Sequence, residues 1–173
     1  MIIKNLDTKI IEMIKLKKFF ENESEVWVME NNNSGGQSSN GVPTRIDDDK
    51  LRILISDDSR LLRKKLREEL ESLNCIVTEA ANGKEAIMKD LEDEPDGVIL
   101  DIVMPEVGGI EALQVIREVS PDVPIVMLSS AGTPQKLMQT LKMGAIDFIQ
   151  KPYNREQIVK AVEAIRRASR HRR

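Results

Sequence analysis

From Leu51 onward the chain alternates between two kinds of segment, and this alternation constrains the fold more than any other feature. Short apolar runs stand at Leu51–Ile55, Cys75–Thr78, Val98–Leu100, Pro124–Leu128 and Ile146–Ile149. Between them lie longer stretches whose apolar residues recur every three or four positions, the period of a helix with one buried face. Ser59 reads as an N-cap, followed by Leu62, Leu66, Leu70 and Leu73 on one face. Gly109–Val119 and Thr133–Met143 repeat that pattern, as does the segment 154–168 with Ile158, Val162 and Ile165. Asn82-Gly83 and Met143-Gly144 read as helix ends. Five strands alternating with five helices predict an α/β fold, a doubly wound five-stranded parallel sheet with helices on both faces. The unbroken apolar character of the middle runs agrees, because strands covered on both sides carry no polar stripe.

Ahead of this region the sequence changes character. Residues 1–30 are mixed, with Ile3, Leu6, Ile10 and Ile14 at helical spacing. They are an N-terminal extension that a single helix could span without making a domain. Residues 31–50 are rich in Asn, Ser and Gly and then Asp, the composition of a flexible linker. Residues 51–169 carry the fold, and 170–173 are a basic tail. The residues after Lys151 suffice for one helix and that tail, so no second output domain is expected.

Composition removes several function classes. The 173 residues are 40% hydrophobic and 32% charged with a formal net charge of -3, so there is no overall basic field for nucleic acid. A single cysteine, Cys75, excludes a disulfide framework and a cysteine zinc cluster. It begins an apolar run and reads as core, and Met104, Met127 and Met138 read as packing. The one histidine, His171, lies in the tail, so the chemistry falls to carboxylates, hydroxyls and amines. No stretch is long and apolar enough to cross a membrane and no secretory signal is visible, which leads us to expect a cytoplasmic protein.

The residues that end the strands carry the functional signal. The first strand runs into Ser56-Asp57-Asp58, the third into Asp101, the fourth into Ser129-Ser130 and the fifth into Lys151-Pro152. In an open parallel sheet ligands bind beyond the carboxyl ends of the strands, so these side chains should converge. Three carboxylates together repel one another, and a hard divalent cation such as magnesium relieves that repulsion. It would also neutralise an incoming phosphoryl group and leave one carboxylate as nucleophile. A lysine and a hydroxyl suit two phosphoryl oxygens. Singly, each residue has an ordinary reading as turn acid or N-cap, turn hydroxyl or solvated lysine; their shared placement is what distinguishes them.

From Leu51 to Ala168 the chain resembles the receiver (CheY-like) family of two-component response regulators. The resemblance rests on Ile55-Ser56-Asp57-Asp58-Ser59, on Val98-Ile99-Leu100-Asp101-Ile102-Val103-Met104-Pro105 with Gly109, on Val126-Met127-Leu128-Ser129-Ser130-Ala131, and on Asp147-Phe148-Ile149-Gln150-Lys151-Pro152. It implies the flavodoxin-like strand order 2-1-3-4-5, with Asp101 as phosphoacceptor. It implies Mg2+ held by Asp57, Asp58, Asp101 and the backbone carbonyl of Val103. Ser129 and Lys151 would contact the phosphoryl group, and Ser129 and Phe148 would form the switch. A plain core aromatic is the other reading of Phe148. The Lys151–Pro152 bond is expected to be cis. The implied partners are a sensor histidine kinase or phosphotransfer protein and a downstream protein target, with pairing of two copies through the fourth and fifth helices also open.

Two departures from the family pattern matter. Val107-Gly108-Gly109 lacks the acid often found there, which predicts a looser loop. Val103 and Ala131, two residues after Asp101 and Ser129, are apolar and cannot orient hydrolytic water, which predicts a long-lived phosphoryl group. The leading reading is a stand-alone receiver that signals by phosphorylation-dependent protein binding and catalyses only its own phosphorylation and dephosphorylation. A second reading has it regulate transcription through a partner or through DNA contact by its basic tail. A third, an aspartate-nucleophile phosphatase, ranks last, because such enzymes place a second acid where Val103 stands.

Overall fold

The computed structural model describes residues 8, 10–18, 50–130 and 134–170. Residues 10–18 form a helix, α1. Then come β1 (Leu51–Ser56), α2 (Arg60–Ser72), β2 (Cys75–Ala80), α3 (Gly83–Asp93), β3 (Gly97–Asp101), α4 (Gly109–Val119), β4 (Ile125–Ser129), α5 (Pro134–Lys142), β5 (Asp147–Gln150) and α6 (Arg155–Ser169). The five strands form one sheet in the order β2-β1-β3-β4-β5. Every pairing is parallel. The strand order reverses between β1 and β3, so the switch point falls at the carboxyl ends of those two strands.

Side chains alternate across the sheet with the period of two that a pleated strand imposes. Leu54, Val98, Leu100, Ile125 and Met127 face one side, packing with Ala86 and Ile87 of α3 and with Leu113 and Ile116 of α4. Ile53, Ile55, Ile99, Val126, Leu128 and Ile149 face the other, against Leu66 and Leu70 of α2 and Ile158, Val162 and Ile165 of α6. Gly97 makes the second layer possible: a Cβ there would lie 2.3 Å from Ile165 Cγ2, so only glycine lets α6 close onto β3. Cys75 is buried in this second layer, and burial pushes its thiol above the usual range, in keeping with a packing role.

Local sequence sets the helix starts. Ser59 Oγ accepts from Leu62 N at 3.4 Å, as its reading as an N-cap requires. Asn154 and Gln157 form a reciprocal capping box at the head of α6. Asn82-Gly83 corrects an expectation: it opens α3 instead of ending a helix. Asn82 Oδ1 accepts from Glu85 N, a donor of the first turn, at 2.9 Å, while Glu85 Oε2 accepts from Ala81 N, just before the cap, at 2.8 Å. Met138 is a second correction. It is 54% exposed, on the solvent side of α5, whereas Met104 and Met127 are buried as expected.

The N-terminal extension contributes to the core. Ile10 is fully buried and Ile14 nearly so, both within the layer built on α3 and α4. Burying two isoleucines contributes on the order of 3–6 kcal/mol before the entropy of ordering the helix is subtracted. Lys17 Nζ donates to Ser120 Oγ at 3.3 Å, and Ser120 Oγ donates to the buried Asp90 at 2.7 Å. The other helical-spacing positions, Ile3 and Leu6, lie outside the described residues, as do the linker up to residue 49 and the tail from His171.

Candidate functional site

The carboxyl ends of β1, β3, β4 and β5 bring the predicted site residues together. Asp57 follows β1 directly and is 2% exposed; its backbone N–H donates to Ala80 O of β2 at 3.2 Å. Asp58, the next residue, is exposed. Asp101 ends β3 and is 3% exposed. Carboxylate oxygens of Asp57, Asp58 and Asp101 all lie within 4.8 Å of one another. Ser129 ends β4 and is buried. Lys151 follows β5, and its backbone N–H donates to Ser129 O at 2.8 Å, which fixes the lysine beside the serine. The Lys151–Pro152 bond is cis, as expected.

Lys151 is the centre of the site's electrostatics. Its ammonium donates to Asp57 Oδ2 at 2.5 Å and to Asp101 Oδ2 at 2.7 Å. Burial pulls its pKa down, but the hydrogen bonds and charges of Asp101 and Asp57 outweigh that, so the net direction is upward. Asp101 is also shifted upward, because desolvation by burial exceeds the relief from Lys151 and the charge of Asp57 adds to it. The site therefore holds buried negative charge that one ammonium only partly offsets. Its donors are hard oxygens, the ligand type that divalent magnesium or calcium takes, so the residues fit such an ion.

Backbone interactions hold the carboxylates in place. Ser59 N donates to Asp57 Oδ1 at 2.8 Å, and Val103 N donates to Asp101 Oδ1 at 3.3 Å. Gly109 N donates to Ile102 O at 3.1 Å. A Cβ on Gly109 would lie 1.8 Å from the carbonyl oxygen of Asp101, so α4 can start this close to β3 only from glycine. The Val107-Gly108-Gly109 turn is closed by this backbone contact, and Gly108 supplies no side-chain cap. The Val103 side chain is 55% exposed at the rim, next to Asp101. Ala131, its predicted counterpart, lies outside the described residues. Phe148, opposite Met127 in the sheet, is partly buried against the α3–α4 layer.

Sequence reasoning missed Arg63. Its guanidinium donates to Asp57 O at 2.7 Å and to Asp58 O at 3.3 Å, and its Nε donates to Glu79 of β2 at 3.2 Å. The signal available was position. Arg63 stands one turn after the Ser59 cap, and helix side chains lean toward the N-terminus, here toward the Asp57-Asp58 loop.

Comparison with known proteins bears on the family and the fold. The response regulator receiver domain family model matches residues 53–163. The chain is 36% identical over 115 residues to the chemotaxis protein CheY of Thermotoga maritima, covering 66% of this chain and 96% of that one. It is 41% identical over 119 residues to the transcriptional regulatory protein ResD of Bacillus subtilis, covering 68% of this chain but 49% of ResD. Among solved structures it resembles a chain of the CheX-CheY-BeF3-Mg+2 complex from Borrelia burgdorferi, with a TM-score of 0.64 and 33% identity over 66% of this chain and 88% of that one.

Proposed function

The chain belongs to the response regulator receiver family, and from that membership we propose that it is phosphorylated on Asp101 in a magnesium-dependent reaction and signals through phosphorylation-dependent protein binding. The observation that carries this reading is the cluster of Asp57, Asp58 and Asp101 within 4.8 Å, with Lys151 bridging two of its members.

In the proposed reaction an Asp101 carboxylate oxygen attacks the phosphorus of a phosphohistidine or small acyl phosphate. The new P–O bond forms as the donor's P–N or P–O bond breaks, and the bonding electron pair leaves with the donor. Asp57, Asp58, Asp101 and the Val103 carbonyl would hold Mg2+, which when bound neutralises charge on the transferring phosphoryl group. Lys151 releases Asp101 and pairs with a phosphoryl oxygen, and the Ser129 hydroxyl donates to another. Phe148 couples that movement to the surface formed by α5, β5 and α6, where a downstream protein binds. Hydrolysis returns inorganic phosphate and the free carboxylate.

The test is intact-mass measurement after incubation with acetyl phosphate and Mg2+. A gain of one phosphoryl group is expected in the wild type. It should be absent in Asp101→Asn and in wild type treated with EDTA. A gain that persists in Asp101→Asn would move the acceptor elsewhere, and a wild type unmodified by acetyl phosphate that also fails to bind beryllofluoride would overturn the reading.

A further inference from the structure

We propose that Arg63, held by Glu79, is a positioning residue that sets the geometry of the Asp57–Asp58 pair for cation binding. The inference rests on the reading of that pair as magnesium ligands. One guanidinium nitrogen of Arg63 serves the consecutive carbonyls of Asp57 and Asp58, at 2.7 and 3.3 Å. Those two bonds orient the peptide groups from which both carboxylates project. The Arg63 side chain is only 13% exposed.

Glu79 fixes the arginine in turn. It lies 3.2 Å from Arg63 Nε through one oxygen and 2.7 Å from Arg67 Nε through the other. It sits opposite Ile55 in the sheet, one residue before the end of β2. The clamp therefore joins β2, the first turns of α2 and the loop after β1. Without it, among the bonds described for this loop, the Asp57 backbone keeps its N–H to Ala80 O and its side chain keeps Ser59 N and Lys151. The Asp58 carbonyl would lose its bond from Arg63. Glu79 is shared by Arg63 and Arg67 and offsets only part of their charge, so Arg63→Lys, which keeps the charge and loses the fork, separates the geometric contribution from the electrostatic one. A planar guanidinium can satisfy Glu79 and the carbonyls at once; a lysine ammonium lacks that fork.

Residues that orient metal ligands change metal affinity by tenfold or more when removed. The experiment measures Mg2+ affinity by calorimetry for the full chain and for Arg63→Met, Arg63→Lys and Glu79→Gln. Melting in EDTA is measured in parallel, and hydrogen exchange is followed in the peptide covering 56–62. The proposal expects Arg63→Met to weaken Mg2+ binding about tenfold and to speed exchange in that peptide without metal. Arg63→Lys should recover only part of the affinity, and Glu79→Gln should weaken it less than Arg63→Met.

A folded Arg63→Met protein that binds Mg2+ within about twofold of wild type would overturn the inference. So would full recovery by Arg63→Lys, which would reduce the role to charge. A wild type that binds no Mg2+ would instead refute the magnesium reading of the acidic pair. The exchange measurement would then decide on its own whether Arg63 orders the loop, and unchanged exchange would overturn that too.

Discussion

Lys151 Nζ donates to Asp101 Oδ2 across the carboxyl ends of β5 and β3, at 2.7 Å, so the lysine occupies the carboxylate proposed to accept the phosphoryl group. A cation entering the site competes with that ammonium. Lys151→Met should therefore bind Mg2+ at least as tightly as wild type, by calorimetry, while accepting phosphoryl from acetyl phosphate far more slowly. In EDTA the same variant should lose roughly 1–3 kcal/mol of stability, because two buried carboxylates are left without their partner. Weaker Mg2+ binding in the variant would contradict the competition.

Asp101 behaves differently on removal. Burial raises its pKa, so the fold disfavours its charge. For an acid shifted this way, the stabilising contribution is complete below the ordinary carboxylate pKa and is lost as pH rises through the raised folded value. At neutral pH in EDTA, Asp101→Asn should thus melt no lower than wild type, with the difference closing toward acid pH. Added Mg2+ should raise the melting temperature of wild type by mass action and have less effect on the variant. Calorimetric melts across pH with and without the metal check both halves.

Much of this site was legible because strand termini can be read from the sequence. Where an apolar run ends in Asp57, Asp101, Ser129 or Lys151, the topology of a parallel sheet dictates that those ends share one edge. Misreadings arose where the same residue types serve two local purposes. Asn82 tolerates a helix end as readily as it caps a start, and only Glu85 three residues on distinguishes the two. Met138 has the spacing of a core residue, yet α5 is covered on one side only. Arg63 was invisible for a further reason: it acts on backbone carbonyls, which every residue carries, so no pattern of side chains announces it.

The N-terminal helix yields a stability prediction. Ile10 is fully buried against the α3–α4 layer, whereas Leu16 on the same helix is 55% exposed. Ile10→Ala should lower the unfolding free energy by about 1–3 kcal/mol, less than a cavity in a fixed core would cost, because a short helix can undock. Leu16→Ala should change it little. Urea titrations of the two variants discriminate between docking and a helix that merely lies nearby, since equal, negligible effects would remove α1 from the core.

The rim of the site should set how long a phosphoryl group on Asp101 lasts. Hydrolysis needs a water aligned behind the phosphorus, and a side chain next to the acceptor can hold it by a hydrogen bond. Val103 occupies that position, is 55% exposed and can neither donate nor accept. Water there is left to orient itself, so intrinsic decay should be slow and a partner would be required for rapid reset. Val103→Asn places an amide at the same point without touching the carboxylates, and should speed loss of the phosphoryl group on the order of tenfold. The check is the rate of phosphate release after acetyl phosphate is removed, compared at equal initial occupancy. An unchanged rate in the Val103→Asn protein, with phosphorylation itself intact, would show that decay is limited by something other than the alignment of water at this rim.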